Sequence, residues 1–446
     1  MPRPVNLRLW SAIAFSIVGY VLIGYILKRY ETVPLLTAYM GVFLFYLYLV
    51  YQKVNLSIKQ IIGLGIFFRL LFLLSVPALS NDFYRFIWDG RLWFNGINPF
   101  AELPTFYVGY PENAPNGITK ELFSLLGNSQ IHYTVYPPIP QFINWLAAWL
   151  AVNSIHWSAV IIRLSHIIAE AGTLFILPKL LKSFTLDEKQ VIWYALNPLI
   201  IIELTGNLHH EALMIFFMVL FMAQWQQEKY AGAGFSLAMA VASKLLPLMF
   251  LPYILLKVKG MKRLVFIAVF SISLLIVFAP LLDASFFKGM EDSLLLYYQK
   301  FEFNAGIYYL FREIGFWAKG YNMIALIGKV FVWLATVLIL AISITAYIKK
   351  WKPAEAFLWI STIFALFSLI LHPWYIALVI LFSTLTNYRF SILWSFLIMG
   401  TYAGYSATGF SEVYPTVAIE FISVIGFALF EWKRQANARA TLKVAP

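Results

Sequence analysis

The sequence contains no cysteine and little charge. Without cysteine, no disulfide can form. Charged residues make up 12% of the chain, about half of the roughly 25% that is usual in soluble domains. Because 61% of the residues are hydrophobic, the composition excludes a water-soluble protein with an ordinary core.

Familiar nucleotide-binding motifs are also missing. The chain has neither a Walker loop nor a Gly-x-Gly-x-x-Gly pattern, which argues against nucleotide chemistry in the cytoplasm. A formal net charge of +12 is typical of proteins that bind nucleic acid. In so apolar a chain we interpret the cations as topology signals and contacts with anionic lipid, and we expect no nucleic-acid partner.

Long apolar runs are what the chain has instead. They recur from end to end with lengths of about 17–25 residues, enough to cross a hydrocarbon layer. Backbone groups in hydrocarbon must be paired within the segment, so the runs predict helices. We therefore predict an all-α, polytopic membrane protein with about 12–14 transmembrane helices in one domain over residues 1–446. Two shorter segments within 231–257, around Lys244, predict a hairpin of half-length or tilted helices.

The lysines indicate a topology under the positive-inside rule. With both termini in the cytoplasm, most basic clusters, such as those at 257–263 and 349–352, fall on the cytoplasmic side. Residues 80–157, with juxtamembrane helices, and 283–321 then form two long outer loops. We expect a multi-pass protein of the inner (plasma) membrane with its active site on the outer face.

Two segments bear on this assignment. Residues 136–152 are apolar, and the threading requires them to lie in the outer interface rather than cross. If they crossed, the lysines at 179–189 would move outside and the charge balance would be poorer. Lys28 and Arg29 are the one exception to the rule, because they fall on the outer side.

The first outer loop holds the main catalytic candidates. If residues 82–94 form a helix, Asp82, Arg85 and Asp89 share one face at spacings of three, four and seven. That face presents two carboxylates at membrane level, which indicates acid–base chemistry. The alternative is that Arg85 only pairs with both acids on a solvated face.

Polar residues at the other outer turns are candidates for substrate binding. Ionisable groups at membrane depth are costly and therefore indicate function. Adjacent histidines on a helix point about 100° apart, unlike the pair of a zinc protease, so we predict no metal site. The candidates are Asp89, Arg85, Arg91, Tyr136, His209, His210, Glu211, Lys244, Asn304, His372 and Tyr375.

Several segments together resemble a known family. The segments 81–91 (NDFYRFIWDGR), 96–100 (GINPF) and 136–138 (YPP) are similar to the first outer loop of GT-C integral-membrane glycosyltransferases. The nearest likeness is to polyprenyl-phosphate-mannose-dependent mannosyltransferases. The segments 242–247 (ASKLLP) and 372–375 (HPWY) are similar to later landmarks of that group.

This resemblance implies an inverting transferase. It implies a donor in which the sugar, mannose in this group, is linked to a polyprenyl phosphate, and an acceptor hydroxyl on a glycan, lipid or protein. It also implies that the acid at the start of the loop, here Asp82, is the general base. The sequence departs from the family where Asn81 stands in place of a second acid beside Asp82. No cofactor is implied.

Two other functions remain open at this stage. A secondary transporter or lipid flippase would use buried Arg69, Arg163 and Glu170 to line a polar route across the membrane. A glycan polymerase or ligase would use the same outer loops. A transferase instead predicts one outward cavity that ends at Asp82 and opens towards lipid, with Lys244 and Arg163 as candidates for binding the donor phosphate.

Overall fold

The computed structural model describes residues 7–51 and 56–444, which are almost entirely helical. The helices outside the two long loops are Leu7–Val21 with a π-helical extension Leu22–Ile26, Thr32–Tyr51, Ile58–Leu70, Ile155–Ser183, Ile192–Ala195, the π-helical Ile200–Gly206, Glu211–Gln226, Tyr230–Ser243, the 3₁₀ turn Leu246–Phe250 with Leu251–Lys257, Gly260–Phe278, Ile324–Ile348, Pro353–Leu366, the 3₁₀ turn Pro373–Ile376 with Ala377–Thr384, Phe390–Leu397 with the 3₁₀ Ile398–Gly404, and Tyr414–Val444. The prediction of an all-α, polytopic membrane protein is confirmed.

The number of full-length spans is lower than predicted. Within the described residues, six continuous helices are long and apolar enough to cross a membrane, or seven if a bent pair counts as one span. The six are Leu7–Ile26, Thr32–Tyr51, Ile155–Ser183, Gly260–Leu281, Ile324–Ile348 and Tyr414–Arg439. The prediction of about 12–14 is not met by single helices, because many apolar runs are interrupted and each piece is shorter than the roughly 20 residues a span needs.

Interruptions explain the difference. The apolar run over 190–206 breaks at Asn197, whose Oδ1 accepts a hydrogen bond from the backbone N–H of Leu199 at 3.0 Å. The apolar run over 390–408 is helical only to Gly404 and continues as a small antiparallel hairpin of Tyr405–Ser406 and Gly409–Phe410. The two short helices predicted over 231–257 are confirmed and meet at Lys244. Tyr230–Ser243 packs on Gly260–Phe278 and Leu251–Lys257 packs on Ile324–Ile348, so the two do not form the predicted hairpin.

The first outer loop is built on two crossed helices, Asp82–Phe94 and Pro138–Ala151. The predicted helix over 82–94 is confirmed. Gly90 allows the crossing, since a Cβ there would lie 2.1 Å from the backbone oxygen of Asn144. Pro138–Ala151 has 14 residues, a length of about 21 Å, which is too short to cross a bilayer alone. The smaller helices of the loop are Pro104–Gly109 and Lys120–Leu125.

The second long loop forms two amphipathic helices, Ala284–Gln299 and Gly306–Lys319. The first packs beside the Ile324–Ile348 helix and against the first loop, where Phe286 contacts Phe100 with a ring-centroid distance of 4.8 Å. The second loop therefore lies on the same end of the molecule as the first.

Arg163 holds together two helix ends inside the protein. Its side chain is fully buried and donates to the carbonyl oxygens of Thr205 at 3.0 Å and Gly206 at 3.0 Å. It also donates to the carbonyl oxygens of Leu73 and Ser75, just beyond the Ile58–Leu70 helix. Because the last carbonyls of a helix have no partner within it, a buried cation at these ends satisfies them.

A second buried arginine, Arg69, also connects separate helices. Arg69 pairs with Glu170 at 2.7 Å, and neither side chain is exposed. Arg69 also donates to the carbonyl oxygens of Gly65 and Ala195, and Tyr194 donates its hydroxyl to Glu170. The structure therefore pairs Glu170 with Arg69, and not with Arg163 as its position on the same helix suggests.

We predict that Arg163→Met strongly destabilises the protein. The substitution leaves four buried carbonyl oxygens without this donor, and each such group costs about 1–3 kcal/mol. The apparent melting temperature in detergent should fall clearly, whereas Lys262→Met, at a side chain that is 58% exposed, should leave it unchanged. A melting temperature of Arg163→Met equal to that of the wild type would contradict this role.

Candidate functional site

One cavity lies where the two outer loops meet the turns between the inner helices. Its volume is about 260 Å³. Nine of the twelve site residues predicted from sequence line it: Asp82, Arg85, Tyr136, His209, His210, Glu211, Lys244, His372 and Tyr375. Residues more than 290 positions apart in the chain are thus brought to one place.

Asp82 is the first residue of its helix, and Asn81 precedes it as the N-cap residue. The Asp82 backbone N–H donates to Ser80 Oγ at 3.2 Å. No described residue donates a hydrogen bond to the Asp82 carboxylate, which therefore has both oxygens free towards the cavity. Burial raises the pKa of Asp82, and the nearby charges of His209 and Lys244 oppose that rise.

Arg85 and Asp89 form a fixed pair beside Asp82. Arg85 Nε donates to Asp89 Oδ1 at 2.7 Å, and a terminal nitrogen donates to the carbonyl oxygen of His132 at 2.6 Å. Asp89 also accepts hydrogen bonds from Thr134 and Gln141, and it is fully buried. Both oxygens of Asp89 are thus occupied, so of the two acids only Asp82 faces the cavity.

The turn 207–210 bends the chain by 114° between two helices. Leu208 adopts a positive φ of 65° at its centre. Asn207 ties this turn to Glu203 at 3.0 Å and to the backbone N–H of Leu79 at 3.4 Å. Since Leu79 lies three residues before Asp82, one polar contact sets the position of both the turn and the catalytic candidate.

Histidine rings and Trp374 form a stack at the base of the cavity. The ring of His209 lies on Trp374 with a centroid distance of 3.4 Å, and His372 stacks on the same indole at 4.4 Å. Burial lowers the pKa of His372 to about 3. His210 Nδ1 lies 3.1 Å from Nε2 of the buried His166. The rings thus form a rigid wall.

Lys244 brings a cation into the cavity. It ends the Tyr230–Ser243 helix in an extended conformation, and its ammonium forms an ion pair with Glu211. The ammonium also lies 4.1 Å from the centroid of the Tyr375 ring. With 26% of its side chain exposed, Lys244 remains accessible to a ligand.

The cavity has a polar end and an apolar end. Asp82, His209 and Lys244 lie near one another, since the charges of His209 and Lys244 act on the Asp82 carboxyl, and we call them the polar end. Much of the apolar lining, which we call the apolar end, comes from residues that sequence reasoning missed, among them Leu245, Leu246, Met290, Leu294, Leu296 and Phe364. Met290, Leu294 and Leu296 belong to the amphipathic helix Ala284–Gln299. As apolar side chains they carry no sequence signal that separates them from the many other apolar residues of the chain.

Three predicted site residues do not line the cavity. Asp89 is enclosed as described above. Arg91 donates to the carbonyl oxygen of Gly117 at 2.6 Å, away from the cavity. Asn304 is fully buried; its backbone N–H donates to the Glu412 carboxylate and its side-chain amide donates to Glu420. Within the described part of the chain, no group of three His, Asp or Glu residues is arranged to hold a metal ion.

Arg163, a sequence candidate for the donor phosphate, is also remote from the cavity lining. Its guanidinium is used entirely on backbone carbonyl oxygens. Lys244 does line the cavity, and its acidic partner is Glu211 rather than Glu203.

The sequence was compared with known proteins. It is 28% identical over 186 residues to alpha-(1->6)-mannopyranosyltransferase A of Mycobacterium tuberculosis, which covers 41% of this chain and 34% of that protein. It is 22% identical over 181 residues to the protein of the same name in Corynebacterium glutamicum, which covers 40% of this chain and 35% of the relative. The matched part is thus about a third of the length of these relatives.

A family match covers more of the chain. Residues 16–260 match the MptA_B family, described as alpha-(1->6)-mannopyranosyltransferase, N-terminal domain. That region contains the Asp82–Phe94 helix, the turn 207–210 and Lys244, which together build the polar end of the cavity. It includes more than half of the 446 residues, and the chain therefore belongs to the MptA_B family of mannopyranosyltransferases.

Proposed function

We propose that this protein transfers a mannosyl group from a polyprenyl-phosphate-linked donor to an acceptor hydroxyl, with inversion, at the outer face of the membrane. The observation that carries the proposal is the Asp82 carboxylate, free of hydrogen-bond donors, in a cavity with a cation beside it and an apolar end. Family membership supports mannose as the sugar.

Asp82 acts as the general base in this proposal. The acceptor oxygen attacks the anomeric carbon of mannose while the bond from that carbon to the phosphate oxygen breaks. The hydroxyl proton passes to Asp82, and the phosphate leaves with the bonding electrons as a polyprenyl phosphate monoester. A carboxylate that already has a hydrogen-bond donor is a weaker base, so the free oxygens of Asp82 favour this role.

Lys244 binds the donor phosphate. Cations stabilise the negative charge that grows on the leaving oxygen. Glu211 and Tyr375 hold the ammonium at the edge of the cavity, where it lies close enough to act on the charge of Asp82. Asp82 and Lys244 thus act on the acceptor hydroxyl and on the leaving phosphate from the same end of the cavity.

The apolar end receives the first isoprene units of the donor. Leu245 and Leu246 follow Lys244 directly in the chain, so the apolar lining begins next to the phosphate-binding cation. Met290 and Leu294, on the Ala284–Gln299 helix, extend it. An amphiphile with a phosphate between sugar and hydrocarbon matches this order of groups.

A transport function has less support. Its proposed polar route would require Arg69, Arg163 and Glu170 to face an aqueous path. All three are fully buried and hydrogen-bonded to protein groups, and none lines the cavity.

Replacing the base tests the mechanism. Asp82→Asn keeps the shape of the side chain but removes the proton acceptor, so turnover should fall by about 10²–10⁴ while donor binding is retained. Asp292→Asn removes an exposed carboxylate on the Ala284–Gln299 helix and should have little effect. Initial rates of mannose transfer and donor binding are measured for each variant. Near-normal turnover by a folded Asp82→Asn protein would refute the assignment.

The pH dependence of the reaction follows from the environment of Asp82. Burial raises the Asp82 pKa above its ordinary 3.8, and the base works only when deprotonated. Activity should therefore be lost, as pH falls, at a higher pH than for an exposed aspartate. Lys244→Met removes a charge that lowers this pKa, so the acid limb of kcat/KM should move to still higher pH.

The control for this shift is Lys182→Met, whose side chain is 79% exposed and which lies outside the cavity lining. Its acid limb should coincide with that of the wild type. An acid limb that stays in place, or moves to lower pH, in Lys244→Met would show that Asp82 is not the titrating group.

The proposed membrane orientation has its own test. The chain has no cysteine, so a single engineered one reports its own side. Asn116→Cys, exposed in the first outer loop, should react with an impermeant maleimide in right-side-out membrane vesicles. Lys182→Cys should react only after permeabilisation. The reverse pattern would place the cavity on the cytoplasmic side.

A further inference from the structure

Arg29 breaks the charge rule that orients the chain. With Lys28 it lies in the turn between the first two long helices, Leu7–Ile26 and Thr32–Tyr51. In the topology proposed above this turn is on the outer side, where basic residues are disfavoured. The positive-inside rule therefore does not explain why Arg29 is present in this turn.

Aromatic contacts connect Arg29 to the cavity wall. Its guanidinium carbon lies 4.9 Å from the centroid of the Tyr405 ring. Tyr405 packs on Phe410 with a centroid distance of 4.9 Å, and Phe410 packs on Phe303 at 4.8 Å. Phe303 contacts His372, which lines the cavity. Arg29 therefore lies beside the cavity, behind a few aromatic rings.

The charge of Arg29 is not neutralised by an acid. Among the residues whose side chains the structure describes, none forms an ion pair with it, and the residue is half-buried. Its charge nevertheless reaches Asp82, because Arg29 is among the groups that lower the pKa of that carboxyl. The guanidinium thus acts on the catalytic end of the cavity.

Lys28 differs from Arg29 although it is adjacent. Its side chain is exposed, and its ammonium lies 5.8 Å from the Tyr30 ring. Lys28 is not among the groups that shift the pKa of Asp82. The two cations therefore carry the same charge in the same turn, but only Arg29 is half-buried and contacts the aromatic rings that lead to the cavity wall.

We propose that Arg29 binds the phosphate of the lipid-linked donor as a second cation beside Lys244, an inference that rests on the proposed function. Lys244 is paired with Glu211, so its charge is already largely offset. The donor is a phosphodiester with one negative charge, and the departing monoester gains a further charge as the sugar bond breaks. A second, uncompensated cation is needed to balance that increase.

Arginine suits this task. Its planar group offers several N–H donors in a fork that matches two phosphate oxygens. In the ligand-free protein it is held by a contact with the Tyr405 ring, which is weaker than a charge-assisted hydrogen bond to phosphate. Exchange of the ring for the phosphate is therefore favourable.

The test uses the full-length protein in nanodiscs of uncharged phosphatidylcholine, titrated with a short-chain polyprenyl phosphate and followed by tryptophan fluorescence. Arg29→Ala should weaken binding about tenfold or more, and Arg29→Lys should recover part of the loss. Lys28→Ala, the matched control, should bind as the wild type does. The corresponding polyprenol, which lacks phosphate, should bind the wild type and Arg29→Ala equally.

Three outcomes would overturn the inference, and a fourth would overturn the proposed function on which it rests. If Arg29→Ala bound polyprenyl phosphate as tightly as a wild type that binds it well, the inference alone would fail. An equal loss of binding in Lys28→Ala would show that the effect comes from general surface charge and not from Arg29. Competition by inorganic phosphate at similar affinity would make the site one for free anions. A wild type that bound no polyprenyl phosphate would instead overturn the proposed function itself.

Discussion

The architecture depends on one arginine that satisfies helix ends within the membrane part of the protein. Hydrocarbon offers no partners for free backbone carbonyls, so a helix that stops at depth must find donors in the protein. Arg163 supplies them to the carbonyl oxygens of Gly206 and Ser75 and their neighbours. Because those ends are stabilised, the chain can turn sharply at 207–210 and start a new helix at Asp82, and both turns line the cavity.

The cavity follows from such interruptions. Long unbroken helices, such as Ile324–Ile348, have largely apolar and exposed sides. The polar groups lie where helices break: Asp82 at a helix start, His209 in a bend and Lys244 at a helix end. Ion pairs that only support the fold have no exposed side chain, as in the pair of Arg69 with Glu170. Lys244 is also paired with an acid, but part of its side chain remains exposed. This difference separates the structural cations from those available to an anionic substrate.

Local patterns made part of this structure predictable from sequence. Helices in the first outer loop, among them Asp82–Phe94, and two short helices on either side of Lys244 were expected from the sequence and are present. The partners of Arg69 and Arg163 were not predictable, because Glu170 lies 101 positions from Arg69 and the carbonyl partners of Arg163 lie 42–90 positions away, so both depend on packing. For the same reason the sequence did not distinguish Arg91 and Asn304, which bond elsewhere, from residues that line the cavity. The roles assigned to the cavity residues stay predictions.

The most direct test is a structure of the protein with a polyprenyl-phosphate-mannose donor bound. The account predicts that the mannose lies at the polar end of the cavity, that the phosphate contacts Lys244, and that the prenyl chain leaves along Leu246 and Met290. It also predicts that the Asp82 carboxylate faces the anomeric carbon across a gap that fits an acceptor hydroxyl. A donor bound elsewhere, or bound with its phosphate remote from Lys244 and its sugar remote from Asp82, would contradict the account.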